Sequence, residues 1–449
     1  MREINFKIKE LKNNFNPFYV YKIFKDEKDT VFLDSSKEDK NLSKFSFIGL
    51  NPFLNFTYKD NISYVNGKEI KEKDPFIALD NLINKYKINY ESNIPFVSGA
   101  IGYFSYDIGR KLEVLPKTAK KEIEIPDAIF NFYNNLIIFD IQNKKTYISS
   151  LGMEEEIEDI EEKLKNYKED LEVKVTESSN KFTSNFEKES YEKAILSLKE
   201  YIRNGDVYIA NMTRQIWCYN KEESFSIYEK LRSINKAPFS VFMNFNDFQV
   251  ISSSPERFLY VKDKMVHTRP IKGTRPRGKN FLEDMENRKA LENSEKDKAE
   301  LLMIVDLERN DLSKVCKPNS VKVTELFKIE EYATVFHLVS TIEGELEEGV
   351  SAVKCIRECF PGGSITGAPK IRAMEIIEEL EGLRRNLYTG SIGYFDLRGN
   401  CDFNIVIRTI IKKDNKAYFG VGGGITYDSK EEDEWFETID KGKALIRVL

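Results

Sequence analysis

From Phe45 to Ile70 the chain reads FSFIGLNPFLNFTYKDNISYVNGKEI, an apolar–polar alternation broken by Asp60-Asn61 and Asn66-Gly67. Side chains on a strand alternate between faces, and these dipeptides favour tight turns, so the stretch reads as strands returning antiparallel beside one another. AIFNFYNNLIIFDIQNKKTYISS (128–150) repeats the pattern, with a turn near Asn143. This is the strongest constraint on the fold, because a half-apolar antiparallel sheet must bury one face against another layer.

Beyond it the character changes. Met153 to Leu171 is rich in Glu and Lys, with Ile157, Ile160, Leu164 and Tyr167 at helical spacing, and is expected to form one amphipathic helix. TESSNKFTSN follows, polar and featureless, so 171–184 is expected to be a linker between a strand-rich region (1–170) and a second part (185–449). That part opens with a helix capped by Ser190, striped by Ala194, Ile195, Leu198 and Ile202, and ended by Gly205. Strands follow at FSVFMNF, FQVISSS, RFLYVKD and KMVHTRP, helices near 296–315 and 368–381, strands at 390–396, 403–412 and 416–421, and a closing helix. Segregated strands and helices predict an α+β fold with mostly antiparallel sheet. GAIGYFSYDIG (99–109) and GSIGYFDLRG (390–399) read as similar glycine-bearing strands in facing sheets.

Charge excludes one class of function. Despite abundant charged residues the formal net charge is only -5, without the basic surplus of a nucleic-acid binder. No apolar run is long enough to span a bilayer, and the N-terminus has no signal-peptide pattern, so a cytoplasmic protein is expected. The five cysteines are scattered and are expected to be buried free thiols.

Chemistry-bearing residues cluster in the second part. Lys272 lies in TRPIKGTRPRG, expected to be a loop stiffened by Pro270 and Pro276. It is an ordinary loop lysine, an anion clamp with Arg275 and Arg277, or a nucleophile whose ammonium is disfavoured by burial and neighbouring cations. Glu256, in SSSPERF, is a surface carboxylate or a proton donor in a poorly solvated site. Glu300 shares a helix face with Met303, Ile304 and Leu307, a costly place for an unpaired carboxylate. Glu434, Glu437 and Lys441 share a face of the closing helix. Two such helices can hold a hard cation such as Mg²⁺ between them or present charged faces to water. FPGGSITGAPK, LYTGSIGY and GVGGGITYDS are tight turns or anion-holding loops. Arg408, inside the apolar FNIVIRTII, is expected to be the buried partner of a carboxylate, and His267 and His337 read as structural.

Taken in order, SPERF, TRPIKGTRPRG, AELLMIVDLERNDL, FPGGSITGAPKIRAMEIIEELE, YTGSIGYF, IVIRT, GVGGGI and EWFETIDKGKA resemble the chorismate-utilising enzymes. That family includes anthranilate, aminodeoxychorismate, isochorismate and salicylate synthases. The resemblance is dense over 185–449 and looser through FLDSS, SFIGLNPF and GAIGYFSYDIGR. It implies two mostly antiparallel sheets packed as a sandwich with helices outside. It implies Mg²⁺ on Glu300 and Glu437, with Glu434 beside them, holding the ring carboxylate of chorismate. Arg408, Tyr388 and the backbone at Gly424 match the grip on the enolpyruvyl carboxylate, and Lys441 a residue near the ring carboxylate. The Gly367–Ala368 turn matches a pocket lining, His337 a neighbour of the ring, and Glu256 the acid that protonates the departing C4 hydroxyl.

PIKGT is similar to the aminodeoxychorismate synthases, whose lysine attacks C2 before ammonia adds at C4; anthranilate synthases resemble PIAGT. The resemblance therefore implies amination of chorismate in p-aminobenzoate and folate formation, with C2 amination and pyruvate loss as the alternative. Ile209 stands where isochorismate and salicylate synthases carry a water-activating lysine and the aminating enzymes usually a glutamine. Leu301 replaces a common histidine and is expected to alter the metal's surroundings. No segment resembles a glutaminase or a lyase, which implies a separate glutamine amidotransferase subunit supplying ammonia and a separate downstream lyase. VFLDSS lacks the LLES-type pattern of feedback-regulated anthranilate synthases, which weighs against tryptophan inhibition.

Overall fold

The computed structural model describes residues 4–37, 44–153, 156–169, 175, 180–331 and 335–449. All strand-to-strand pairings between named strands are antiparallel, and they join into one continuous network. Two long strands, Phe45–Lys59 and Ala128–Asp140, pair along most of their length, with the register broken between Pro52 and Leu54. Their Phe45–Leu50 and Asn135–Asp140 halves lie in one layer, which continues through Val31–Asp34, Phe239–Asn244, Phe248–Ser254, Thr409–Lys413, Lys416–Ile425 and Ile209–Tyr219. Their other halves join a second layer through Gly99–Phe104, Ser391–Asp396, Cys401–Asn404, Arg257–Lys262, Met265–Thr268, Val335–Glu345 and the strands beside it. The layers thus pack as a sandwich but are also hydrogen-bonded to each other through the long pair. Between them lie Val31, Phe47, Tyr103, Tyr133, Val250, Ile392, Tyr394 and Ile411, all buried.

Several expectations shift. The two GxIGYF-like strands are neighbours in one sheet, not in facing sheets: Gly99–Phe104 pairs with Ser391–Asp396 over its whole length. Glycine allows this at one end, because a Cβ at Gly99 would meet the Phe395 carbonyl at 2.0 Å, and Gly102 and Gly393 let the outer neighbours Ala128–Asp140 and Cys401–Asn404 close in to 1.9 and 2.0 Å from where a Cβ would sit. The helix expected across 153–171 spans only Ile157–Leu164, with residues 154–155 and 170–171 outside the described residues. Most of the expected linker is also outside them, but its end, Phe182–Ser184, is a strand on Ile216–Cys218. Glu187, not Ser190, is the N-cap of Lys188–Arg203, and Ser190 completes a capping box three residues in. All five cysteines are buried and free. Among the described residues no helix is long and apolar enough to cross a membrane.

Candidate active site

The site forms where the helices Glu295–Ser313 and Glu431–Val448 meet the strands Ile271–Pro276 and Lys416–Ile425. Lys272 lies on a strand, not in the expected loop, opposite Leu338 and just before a bulge at Gly273, whose φ is +74°. A bulge re-aims the neighbouring side chain. Lys272 Nζ reaches 3.4 Å from the Ser364 carbonyl and stands over Gly424, 3.6 Å from where a Cβ would sit. Ile209 covers the same spot at 3.2 Å. Arg275 and Arg277 do not crowd the lysine: they bond Asp297 at 2.9 Å and Asp284 at 2.7 Å. The charged groups interacting with Lys272 include Glu256 and Glu300. Among the described residues no carboxylate lies within ion-pairing distance of its Nζ.

Glu256 connects the strands Phe248–Ser254 and Arg257–Lys262 and is only 9% exposed. Burial pushes its carboxyl above the usual range, while the Ser364 hydroxyl, Lys272 and Lys441 pull the other way. Ser364 was not singled out from the sequence; its signal was its place inside FPGGSITGAPK. It touches both central groups, through its carbonyl to Lys272 and its hydroxyl to Glu256.

The glycine run places the acidic helix. A Cβ on Gly423 would sit 3.0 Å from Glu437 Oε1 and 3.2 Å from Glu434 Oε2, so glycine lets both carboxylates lie on the strand. Glu434 is buried, accepts from the Ser429 hydroxyl at 2.7 Å, and is pushed up by burial and next by Glu437. Glu300 is likewise pushed up, mainly by burial, with Asp297 and Glu437 adding and Lys272 and Lys296 opposing. Lys441 bonds Glu437 at 2.6 Å and the Gly422 carbonyl at 2.8 Å. Among the described residues no group of three or more candidate ligands is assembled at metal-holding separation. The donor set still fits a hard divalent cation: it is all carboxylate, comes from two helices, and is buried enough to raise the Glu300 and Glu434 carboxyls even with Lys272, Lys296 and Lys441 nearby. Leu301 is fully buried in the apolar core.

Arg408, His337, Lys441, Thr274 and Pro255 line one cleft of about 1420 Å³, in which cations outnumber carboxylates. Arg408 interrupts the strand expected at 403–412: it sits at φ +50° in the break between Cys401–Asn404 and Thr409–Lys413. It is not the partner of a protein carboxylate as expected. Among the described residues none pairs with it, and loss of water alone lowers its pKa. A half-buried guanidinium left open to a cleft is ready for a carboxylate from outside. His337 lies opposite Thr274, whose hydroxyl is 2.8 Å from its Nδ1. Burial first, then the charges of Lys37 and Arg408, holds its imidazole down at about 4, so it is neutral at pH 7. Gly367–Ala368 pairs with Ile209–Ala210 and backs the Lys272 side. Tyr388 packs its ring on Gly420 beside Arg385 and Thr213; it is not among the residues lining the Arg408 cleft.

A sandwich carrying an amine, a buried acid, an open guanidinium and paired acidic helices defines a class, and the chain belongs to it: the family described as chorismate binding enzyme matches residues 28–447. The chain is 37% identical to anthranilate synthase component 1 of Lactococcus lactis, covering 98% of this chain and 99% of the relative. It is also 37% identical to aminodeoxychorismate synthase component 1 of Escherichia coli, over 93% of each chain. The crystal structure of anthranilate synthase component I from Streptococcus pneumoniae superposes with a TM-score of 0.81 at 32% identity, covering 91% of this chain and 94% of that one.

Proposed function

We propose that this chorismate-utilising enzyme aminates chorismate at C4, giving 4-amino-4-deoxychorismate for p-aminobenzoate and folate formation. The observation that carries the reading is Lys272: an amine within electrostatic reach of Glu256 and Glu300, with no ion-pair partner among the described residues, standing over Gly424. Its amine adds to C2 of the ring as both ring double bonds shift toward C4 and the C4–O bond breaks. Glu256 gives its proton to the departing hydroxyl, which leaves as water. Ammonia then adds at C4, the C2–N bond breaks, and Lys272 regains its free amine. The surplus proton of the ammonia returns to the Glu256 carboxylate.

Arg408 takes the enolpyruvyl carboxylate, with the Gly424 backbone assigned to the same end of the substrate and Tyr388, outside the Arg408 cleft, backing that strand through Gly420; Lys441 faces the ring carboxylate and neutral His337 the ring. Glu300 and Glu437, with Glu434, would hold Mg²⁺, whose positive charge neutralises that ring carboxylate. Ile209, an apolar side chain beside Lys272, offers no base to activate water. Ammonia comes from a separate glutamine amidotransferase subunit, in keeping with the component 1 titles of the relatives, and a separate lyase removes pyruvate. The sequence similarity to anthranilate synthases supports a second reading, C2 amination with loss of pyruvate. One assay separates the two. Purified protein with chorismate, Mg²⁺ and ammonium yields 4-amino-4-deoxychorismate on the first reading; anthranilate as the only product overturns it.

A further inference from the structure

Behind Glu256 stands a second carboxyl that the reaction above does not use. Glu308 is half-buried on the helix Glu295–Ser313. Its Oε2 lies 2.9 Å from Thr268 Oγ1, and that threonine oxygen in turn lies 2.8 Å from the Phe258 carbonyl oxygen. Counting protons decides how these contacts are made. A threonine hydroxyl has one proton and a carbonyl has none to give. If the hydroxyl turned to a Glu308 carboxylate, two lone-pair-bearing oxygens would face each other at 2.8 Å with nothing between them. A single proton shared between the two acceptors would leave each bond weak; both are full two-centre hydrogen bonds when Thr268 donates to Phe258 and a protonated Glu308 donates to Thr268.

We propose that Glu308 works as a neutral acid and is a positioning residue for Glu256. Phe258 lies two residues beyond Glu256, so the path from Glu308 through Thr268 to the Phe258 carbonyl pins the segment that carries the catalytic acid. Arg257, between them, is fixed separately by two 2.9 Å bonds to Asp402. The charged groups facing Glu308 agree with this protonation. Burial comes first and Glu256 and Asp311 add negative charge; even with a Thr268 hydroxyl turned to the carboxylate and with Lys370 opposing them, the carboxyl is pushed from the ordinary 4.5 up to about 8. Asp311 is itself paired with Lys370 and Lys314. Above that pH Glu308 ionises, the Thr268 hydroxyl turns to the new carboxylate, and the Phe258 carbonyl loses its donor.

The inference deepens the proposed reaction, but its first test needs no substrate. A carboxyl neutral in the fold and ionised in the unfolded chain makes stability fall as pH rises from about 4.5 toward 8. Glu308→Gln keeps an N–H donor toward Thr268 without that linkage. Thermal unfolding of the full chain should show the Gln variant gaining on wild type steadily from pH 5 to pH 8. A gap that stays constant, or a Gln variant less stable than wild type at pH 8, overturns the protonated state. The second test is kinetic, read as the ratio of variant to wild type at each pH so that the supply of free ammonia cancels. Glu308→Ala should cost about tenfold in kcat, the value of one lost hydrogen bond, with KM little changed. Glu308→Gln should restore most of it and lack the wild type's fall above pH 8. Equal losses in Ala and Gln, or none in either, overturn the positioning role. If wild type forms no aminated chorismate, the reaction assignment fails while the unfolding result still judges Glu308.

Discussion

At the residue scale, the proposed chemistry rests on the Lys272 amine and on two groups, Glu256 and His337, whose burial opposes their charged forms. Lys272→Ala removes the attacking amine and should lower kcat by at least about 10³-fold while chorismate affinity, measured by titration, stays largely intact. A kcat within a few-fold of wild type would remove the covalent role. His337 gives a stability prediction with a definite sign. Its folded pKa of about 4 lies below the ordinary 6.5, so in that window the unfolded chain binds a proton that the fold does not, and stability is lost as pH falls from 6.5 toward 4. His337→Gln lacks this linkage. The advantage of wild type over the variant in urea unfolding should therefore shrink across that window, and a constant difference would contradict a buried neutral ring. Residue identities were the most legible part of the molecule, because motifs such as SPERF and EWFETIDK name their side chains directly. What surrounds each one was not: the arginines beside Lys272 in sequence turn to Asp297 and Asp284, and Ser364, distant in sequence, reaches Lys272. Those partners lie on helices and a turn packed against the strand, and how such elements pack is not carried by chain order.

At the scale of elements, Gly273 shows how a local backbone feature aims a functional group. Alanine there would take φ +74° and bring its Cβ within 2.8 Å of Asp297 and Leu291. Gly273→Ala should cost about 1–3 kcal/mol of stability in chemical denaturation and lower kcat, because relief of the clash moves the strand bearing Lys272. The alternation that opens at Phe45 and the long helical pattern near 296–315 were readable because apolar periodicity reports burial. Elements governed by breaks were not. Arg408 ends an apolar run that reads as one strand, and its left-handed backbone has no glycine or asparagine to announce it. The similarity of 99–109 to 390–399 was visible, but whether two like strands pair or face each other is a matter of register that neither sequence contains.

At the scale of the whole molecule, the strand-rich first part completes the sheets of the second. Val31–Asp34 pairs with Phe239–Asn244, and Gly99–Phe104 with Ser391–Asp396. A fragment of 185–449 would present both edges and the apolar faces of Val241, Ile392 and Tyr394 to water. Expressed alone it should show no cooperative thermal transition by circular dichroism, and recover one only when 1–184 is supplied. A sharp independent transition would show that the catalytic part needs no such completion.

The long pair formed by Phe45–Lys59 and Ala128–Asp140 gives this architecture a common spine. Neither leaf can come away from the other without bending or breaking two strands that both leaves are built on. Amide protons there, among them those of Ile48 and Ile137, should therefore be among the last to exchange with deuterium, and should do so as one class, because the opening that frees them is the unravelling of the entire molecule.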